Sequence, residues 1–259
     1  MRPIPQSQRK RSRQKWSKPL AESLVVPGRR AVAFGLEHAM DRLVSIHCDR
    51  EPAALELPIP SHVNVDRTDK ATLTRMAGKG VSHGGVVACF RPPPVRPLKD
   101  LDPTLIDAKG PIVCLDGVTD PRNLGAIMRS ALWFGVPLMI SPERRTAPRS
   151  GAAAKASAGA ICTMPLLRVP NLARALDTLK KQGFWIYAAG AAEGSTTLDN
   201  APRNYPLVLI MGDEGMGVRP NVLKRADVVV SVPGEKKPEF DSLNVSVSAG
   251  IILSHFFRK

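Results

Sequence analysis

At 259 residues with a formal charge of +14, the chain suits one large domain or two modest ones. That charge calls for a polyanionic partner, nucleic acid ahead of an anionic membrane surface, while a 5% aromatic content disfavours the stacking of many splayed bases. Four scattered cysteines (Cys48, Cys89, Cys114, Cys162) form no CxxC and do not group with histidines, so a disulfide framework and a metal site are disfavoured. No apolar run approaches the roughly 18–20 residues of a membrane span, and there is no signal-peptide core; the chain is expected to be soluble and intracellular.

Residues 1–30 are rich in Arg and Lys, carry one acid (Glu22) and show no lasting apolar periodicity. They are expected to be largely disordered, as a phosphate-gripping arm, an organelle-targeting segment, both in succession, or a solvated tail. Residues 31–92 read as a small α/β unit. A strand is expected at Ala31–Phe34, a helix at Leu36–Val44, a strand at Val63–Val65, a helix at Thr68–Met76 with a Thr or Asp cap, and a turn into a strand at Gly84–Phe90. The Pro-rich run RPPPVRPLKDLDP marks a linker, placed at 93–110.

From Pro111 to the C-terminus, strands and helices alternate, which predicts a parallel sheet with helices on both faces. Expected strands are Ile112–Leu115, Leu138–Ile140, Trp185–Ala188, Leu207–Met211 and Val228–Val232. Expected helices are Leu124–Phe134, Leu172–Lys181, Asn221–Arg225 and Val245–Phe257. Residues 144–160, small and basic, suit either a short, closely packed helix or a mobile loop over a site.

Three stretches carry candidate chemistry. In DPRNLGAIMR, Asp120 or Asn123 caps a helix, and Arg129 is a cation on an otherwise apolar element, a snorkelling surface residue unless the context says otherwise. In LVLIMGDEGMGV a buried strand runs into a glycine-rich turn at Gly212, where the backbone can approach a ligand. The turn has neither the GxGxxG pattern nor a P-loop Lys-Ser/Thr pair, and Asp213 and Glu214 suit a ligand bearing positive charge rather than phosphate. In the third stretch, a strand ends at Val232-Pro233-Gly234, and Ser242-Leu243-Asn244 introduces the last helix. Ser242 and Asn244 either simply cap that helix or face the glycine turn with their polar groups.

In this order the three stretches resemble the motifs of the SpoU/TrmH family of RNA ribose 2′-O-methyltransferases. Asp120-Pro121-x-Asn123-x-Gly125-x-x-x-Arg129 matches the first motif, Gly212-x-Glu214-Gly215-x-Gly217 the second, and Pro233 with Ser242-Leu243-Asn244-Val245-Ser246 the third. Residues 31–90 resemble, more loosely, the family's substrate-binding domain. The long spacer after Pro233 and the run Lys155–Ala160 resemble mitochondrial large-subunit ribosomal RNA enzymes, which fits the basic N-terminus as a targeting segment.

The resemblance implies an α/β fold whose methyltransferase domain, 111–259, threads a trefoil knot. It implies S-adenosylmethionine as cofactor at Gly212, Val232 and Leu243, with Glu214, Asn244, Asn123, Arg129 and Ser242 in the site. It further implies a homodimer to which Val245–Phe257 contributes, no metal, and a guanosine of large-subunit ribosomal RNA, or its precursor subunit, as partner in the mitochondrial matrix or a bacterial cytoplasm. A tRNA ribose methyltransferase and a non-catalytic RNA-binding or ribosome-assembly protein are the alternatives; the latter would tolerate erosion of Arg129, Asn123 or Ser-Leu-Asn, all of which are intact. A dinucleotide oxidoreductase lacks its fingerprint here. The family proposal makes Arg129 a base, yet removing its proton at pH 7 costs on the order of 7 kcal/mol, whereas a charged arginine holding phosphate costs nothing comparable.

Overall fold

The computed structural model describes residues 23–101, 110–191, 194–235 and 242–257. Its first sheet is assembled from β1 (Leu24–Pro27), β2 (Leu43–Cys48), β3 (Val65–Arg67) and β4 (Val86–Phe90), in the order β1-β4-β2-β3. Two helices accompany it, α1 (Arg29–His38) and α2 (Lys70–Ala77). β4 is antiparallel to both neighbours, and β2 and β3 are parallel.

Several expectations for this half need correction. Leu24–Pro27, placed within an unstructured segment, is strand β1, paired antiparallel with β4; the segment before residue 23 lies outside the described residues. Ala31–Phe34 is helical rather than extended. Its apolar residues read as a strand by type, but Ala31, Val32, Gly35 and Leu36 are buried together at helical spacing. The helix expected to run to Val44 ends at His38, and Leu43 and Val44 open β2, whose Ile46 and Cys48 alternate inward. The second helix is as expected: the Asp69 carboxylate caps α2 by accepting from Thr72 N at 2.7 Å.

The second sheet has the order β7-β6-β5-β10-β8-β11-β9, with every pairing parallel. Its strands are β5 (Ile112–Asp116), β6 (Met139–Pro142), β7 (Leu166–Val169), β8 (Trp185–Ala189), β9 (Thr196–Thr197), β10 (Leu207–Gly212) and β11 (Val228–Ser231). Between and after them lie α3 (Pro121–Trp133), α4 (Gly151–Ala156), α5 (Leu172–Lys181), α6 (Pro220–Leu223) and α7 (Val245–Phe256). The short strands β7 and β9 were not anticipated.

The central strands are buried on both faces, as a parallel sheet between helix layers requires. Alternate residues serve opposite cores. Val113, Leu115, Leu207, Leu209 and Met211 join α3 and α7 in one cluster, while Ile112, Cys114, Val208 and Ile210 join α5 in the other.

Within 144–160 the small residues Gly151–Ala156 form a packed helix, α4. A Cβ at Gly151 would lie 2.2 Å from the Ala77 carbonyl of the first half, and one at Gly125 on α3 would lie 2.3 Å from the Ala153 carbonyl. Backbone contact on both sides makes α4 the wedge between the two sheets.

Candidate active site

Strand β10 delivers Gly212 to its carboxyl end, where open parallel sheets place their ligands. The chain then folds into a tight turn. Asp213 and Gly217 exchange backbone hydrogen bonds, both 3.0 Å, and the Asp213 carboxylate accepts from the N–H groups of Gly215 and Met216 at 2.9 and 3.0 Å. A Cβ on Gly212 would lie 2.3 Å from the Gly217 carbonyl carbon, so only glycine lets this turn close. With Asp213 occupied inside the turn, Glu214 is left exposed at its tip.

Two amides meet Glu214 there. Asn123 donates through Nδ2 to Glu214 Oε1 at 2.8 Å, and Asn244 donates through Nδ2 both to that same oxygen and to Asn123 Oδ1, the latter at 3.1 Å. Local sequence frees each of these side chains for the task. Asp120 caps α3 by accepting from Arg122 N at 2.7 Å, so Asn123 is not spent as a cap. Asn244 does both jobs: its Oδ1 caps α7 by accepting from Ser246 N at 2.9 Å and Ser246 Oγ at 2.6 Å, while its Nδ2 faces the cluster. Among the described residues Glu214 has amide partners and no ion pair, so its negative charge is oriented but not neutralised.

A second polar contact underlies the first and was missed in the sequence. Asp116, at the end of β5, is 0% exposed and accepts from Arg219 N at 2.9 Å and Arg219 Nε at 2.7 Å. This ties the chain just beyond the glycine turn to the neighbouring strand. Only half of the signal was present: an acid closing the apolar run Ile112–Leu115 must find a cation once buried, but nothing local points to Arg219 as that cation.

The remaining candidates fall around this centre. Val232 follows the last residue of β11, Leu243 is 50% exposed immediately before Asn244, and Ser242 is exposed one residue earlier. Arg129 is not part of the cluster. It is exposed on α3, six residues past Asn123, which on an α-helix is about 9 Å along the axis and roughly a third of a turn round. The loop expected to bring Pro233 to Ser242 includes 236–241, which lie outside the described residues.

The four cysteines are free and buried. Burial pushes the Cys162 thiol up to about 12 and raises Cys114, Cys89 and Cys48 as well, so none is a ready nucleophile. Among the described residues no group of three or more His, Cys, Asp or Glu side chains is placed to hold a metal ion, and no helix is long and apolar enough to cross a membrane.

The model of the SpoU rRNA methylase family matches residues 110–254, more than half of the chain. The chain belongs to this family. Over 197 residues it is 38% identical to an uncharacterized tRNA/rRNA methyltransferase of Synechocystis, a match that covers 75% of this chain and 50% of that one. Thus it spans half the length of that relative. Over 198 residues it is 36% identical to the 23S rRNA (guanosine-2′-O-)-methyltransferase RlmB of Vibrio parahaemolyticus, covering 76% and 78% of the two chains. A crystal structure of an AdoMet-bound rRNA methyltransferase from Sinorhizobium meliloti superposes with a TM-score of 0.71 at 25% identity, over 91% of this chain and 87% of that one. The matched span takes in Asn123, Arg129, Glu214 and Asn244, whereas the first sheet lies outside it.

Proposed function

We propose that the chain transfers a methyl group from S-adenosylmethionine to a ribose 2′-hydroxyl of RNA, a guanosine of large-subunit ribosomal RNA. The observation that carries this reading is the hydrogen-bonded meeting of Asn123, Glu214 and Asn244, from three distant stretches, at the carboxyl end of β10. The named function of the Vibrio relative supports the guanosine and the ribosomal RNA.

The site's own residues fit the cofactor. A Cβ at Gly215 would meet only Asp213 Oδ1, at 3.6 Å, and one at Gly217 or Gly234 nothing within 4 Å, so a ligand can approach these backbones closely. Leu243 and the 87% exposed Met216 offer apolar surface, and Glu214 offers an anion with its orientation fixed. Gly212, Val232 and Leu243 are the backbone positions that hold the cofactor in this reading. When bound, S-adenosylmethionine supplies a methyl group on a cationic sulfonium, already electrophilic without a metal.

The chain's residues then position and polarise. The Glu214 carboxylate complements the sulfonium charge, and Asn123 and Asn244 keep it aimed. Ser242 and Asn244 border the ribose. Arg129, exposed and cationic, holds an RNA phosphate and offsets the negative charge growing on the 2′-oxygen as its proton leaves to water.

Three finer points belong to the same proposal. The C-terminal part is a trefoil knot, a reading supported by α7 returning from β11 to lie under the 198–206 segment, where Tyr205 Oη donates to the Phe256 carbonyl. The protein acts as a homodimer, supported by Leu243, Val247 and Ile251, exposed at four-residue spacing, and by Trp133, 84% exposed on α3. It acts in the mitochondrial matrix, on the strength of the long spacer, the run Lys155–Ala160 and the basic N-terminus. The relatives compared are bacterial, which makes a bacterial cytoplasm the second location.

The test is methyl transfer from labelled S-adenosylmethionine to ribosomal and transfer RNA, with site-resolved mapping of ribose methylation. Label in a guanosine of the large-subunit RNA is expected. Label in tRNA alone would favour the tRNA reading, and binding without any transfer would favour a non-catalytic assembly protein.

A further inference from the structure

A cleft of about 560 Å³ opens in the first half of the molecule between α2 and the loop 80–85, well separated in sequence from the cluster around Glu214. Its wall includes Asp49, Arg50, Lys70, Thr74, Val81 and His83, with no Phe, Tyr or Trp. Arg50 donates from Nε to Asp49 Oδ1 at 2.8 Å, and both side chains close over Gly85, where a Cβ would lie 2.7 Å from that oxygen. Lys155, reaching from α4 in the other half, donates to the Ser82 carbonyl at 2.7 Å.

His83 is a buried wall rather than a ligand. Its Nδ1 accepts from Gly85 N at 3.2 Å, and its Nε2 lies 3.3 Å from Thr74 Oγ1. Burial lowers its pKa; Asp49 opposes this, and the Lys70, Lys155 and Arg50 charges add to it, so three cations converge on this ring against one carboxylate.

Lys70 is the first residue of α2 and exposed. A cation there works against the helix dipole, so helix stability does not account for it. Arg50 is exposed as well, although paired. Two solvent-reachable cations beside backbone turns, without aromatic walls, suit a phosphodiester rather than a base.

We propose that this cleft holds a backbone phosphate of the substrate RNA at Lys70 and Arg50, with Lys155 fixing the loop from the other half. The inference rests on the RNA methyltransferase reading above and gives the first half a defined share in it. Through Lys155 the cleft is joined to α4, whose backbone abuts Gly125 on α3, the helix of Asn123 and Arg129. RNA gripped there is held in a fixed relation to the site.

The experiment uses the full chain with a fluorescently labelled RNA stem–loop, anisotropy across a salt titration, and Lys70→Ala and Lys70→Glu variants. Losing one phosphate contact should weaken binding about 5–8-fold at 0.1 M salt and lower the log–log salt slope by about 0.7–0.9, with Lys70→Glu weaker still. Melting temperature and S-adenosylmethionine affinity should not move. Unchanged RNA affinity and slope in Lys70→Glu overturn the proposal, as does guanosine monophosphate binding that Lys70→Glu abolishes while RNA affinity stays the same. If wild type shows the Lys70-dependent slope but methylates no RNA, the enzyme reading fails and the cleft stands; if methylation persists with RNA binding indifferent to Lys70, the reverse holds.

Discussion

Two polar contacts sit at the same end of the second sheet and are built in opposite ways. Asp116 accepts from the guanidinium of Arg219 at one oxygen and from its backbone N–H at the other, and its carboxylate is fully buried. Asn123, Glu214 and Asn244 form a neutral–anionic network whose acid is exposed. Both restrain the glycine turn between β10 and α6, one from beneath and one from above. A buried charge with its partner locked in place has nothing left to offer a ligand, whereas an exposed carboxylate held by two amides has its direction set and its charge available. The first contact is therefore structural, and in the proposed function the second serves the ligand, so substitutions at each should separate stability from activity.

The largest loss of stability is expected from Arg219→Ala. It leaves the Asp116 carboxylate buried with only the backbone N–H of residue 219, and breaking a buried pair this way costs about 3–5 kcal/mol. Asp116→Ala should cost less, about 1–3 kcal/mol. The arginine left behind is 35% exposed along its side chain and can rehydrate, and a desolvated charge has been removed. Urea unfolding midpoints of the two variants test this asymmetry; equal losses would show that Asp116 is not the strained partner.

Next comes Asn244→Ala, which removes the α7 cap and two donors at once. Loss of the cap alone costs about 1 kcal/mol. Methyl transfer should fall much further than that, because Glu214 loses one of its two amide partners. Asn244→Asp restores the cap but faces Glu214 with a like charge, so it should recover stability without recovering turnover. Recovery of both would reduce Asn244 to a capping residue.

The same division explains what was legible in the sequence. Strands β5, β8 and β10 are buried on both faces, so type and length alone marked them. The three stretches that meet at the end of β10 were legible because their turn chemistry is local: Asp120 before Pro121, glycines around Glu214, and Asn244 before an apolar helix. Ala31–Phe34 was misread because four apolar residues fit either period; the choice was made by tertiary contact, Ala31, Val32 and Leu36 all turning to one core. The partnership of Asp116 and Arg219 spans 103 residues and depends on β5 pairing with β10, so no local pattern could display it. Asn244 was open between cap and site residue; its Oδ1 caps α7, and its Nδ2 meets Asn123 and Glu214.

Glu214→Gln should hardly touch the fold, within about 0.5 kcal/mol, since the side chain is exposed and an amide keeps an acceptor oxygen for Asn123 and Asn244. Its effect belongs to the ligand. A carboxylate complementary to a sulfonium predicts that S-adenosylmethionine affinity falls while S-adenosylhomocysteine, which lacks the sulfonium charge, is bound nearly as before. Calorimetry with both ligands reads the difference directly. Parallel losses for the two would make Glu214 a loop-shaping residue and move it to the structural side of the comparison.

Arg129→Ala should show the smallest change in stability of all, within about 0.5 kcal/mol, because the side chain is exposed on α3 and lies outside both contacts. Its loss of methyl transfer should nevertheless be near complete, with cofactor affinity intact, since in the proposed function Arg129 meets RNA and not S-adenosylmethionine. Arg129→Lys then distinguishes the two chemical roles. A phosphate anchor survives in part as a point charge without the bidentate fork, and its activity should be flat across neutral pH. A lysine working as a base would instead gain activity as pH rises toward ~10, its ordinary pKa. Single-turnover methylation across pH for wild type and both variants decides between them, and wild-type turnover in Arg129→Ala would make Arg129 an ordinary surface arginine whose stem merely lies along the helix.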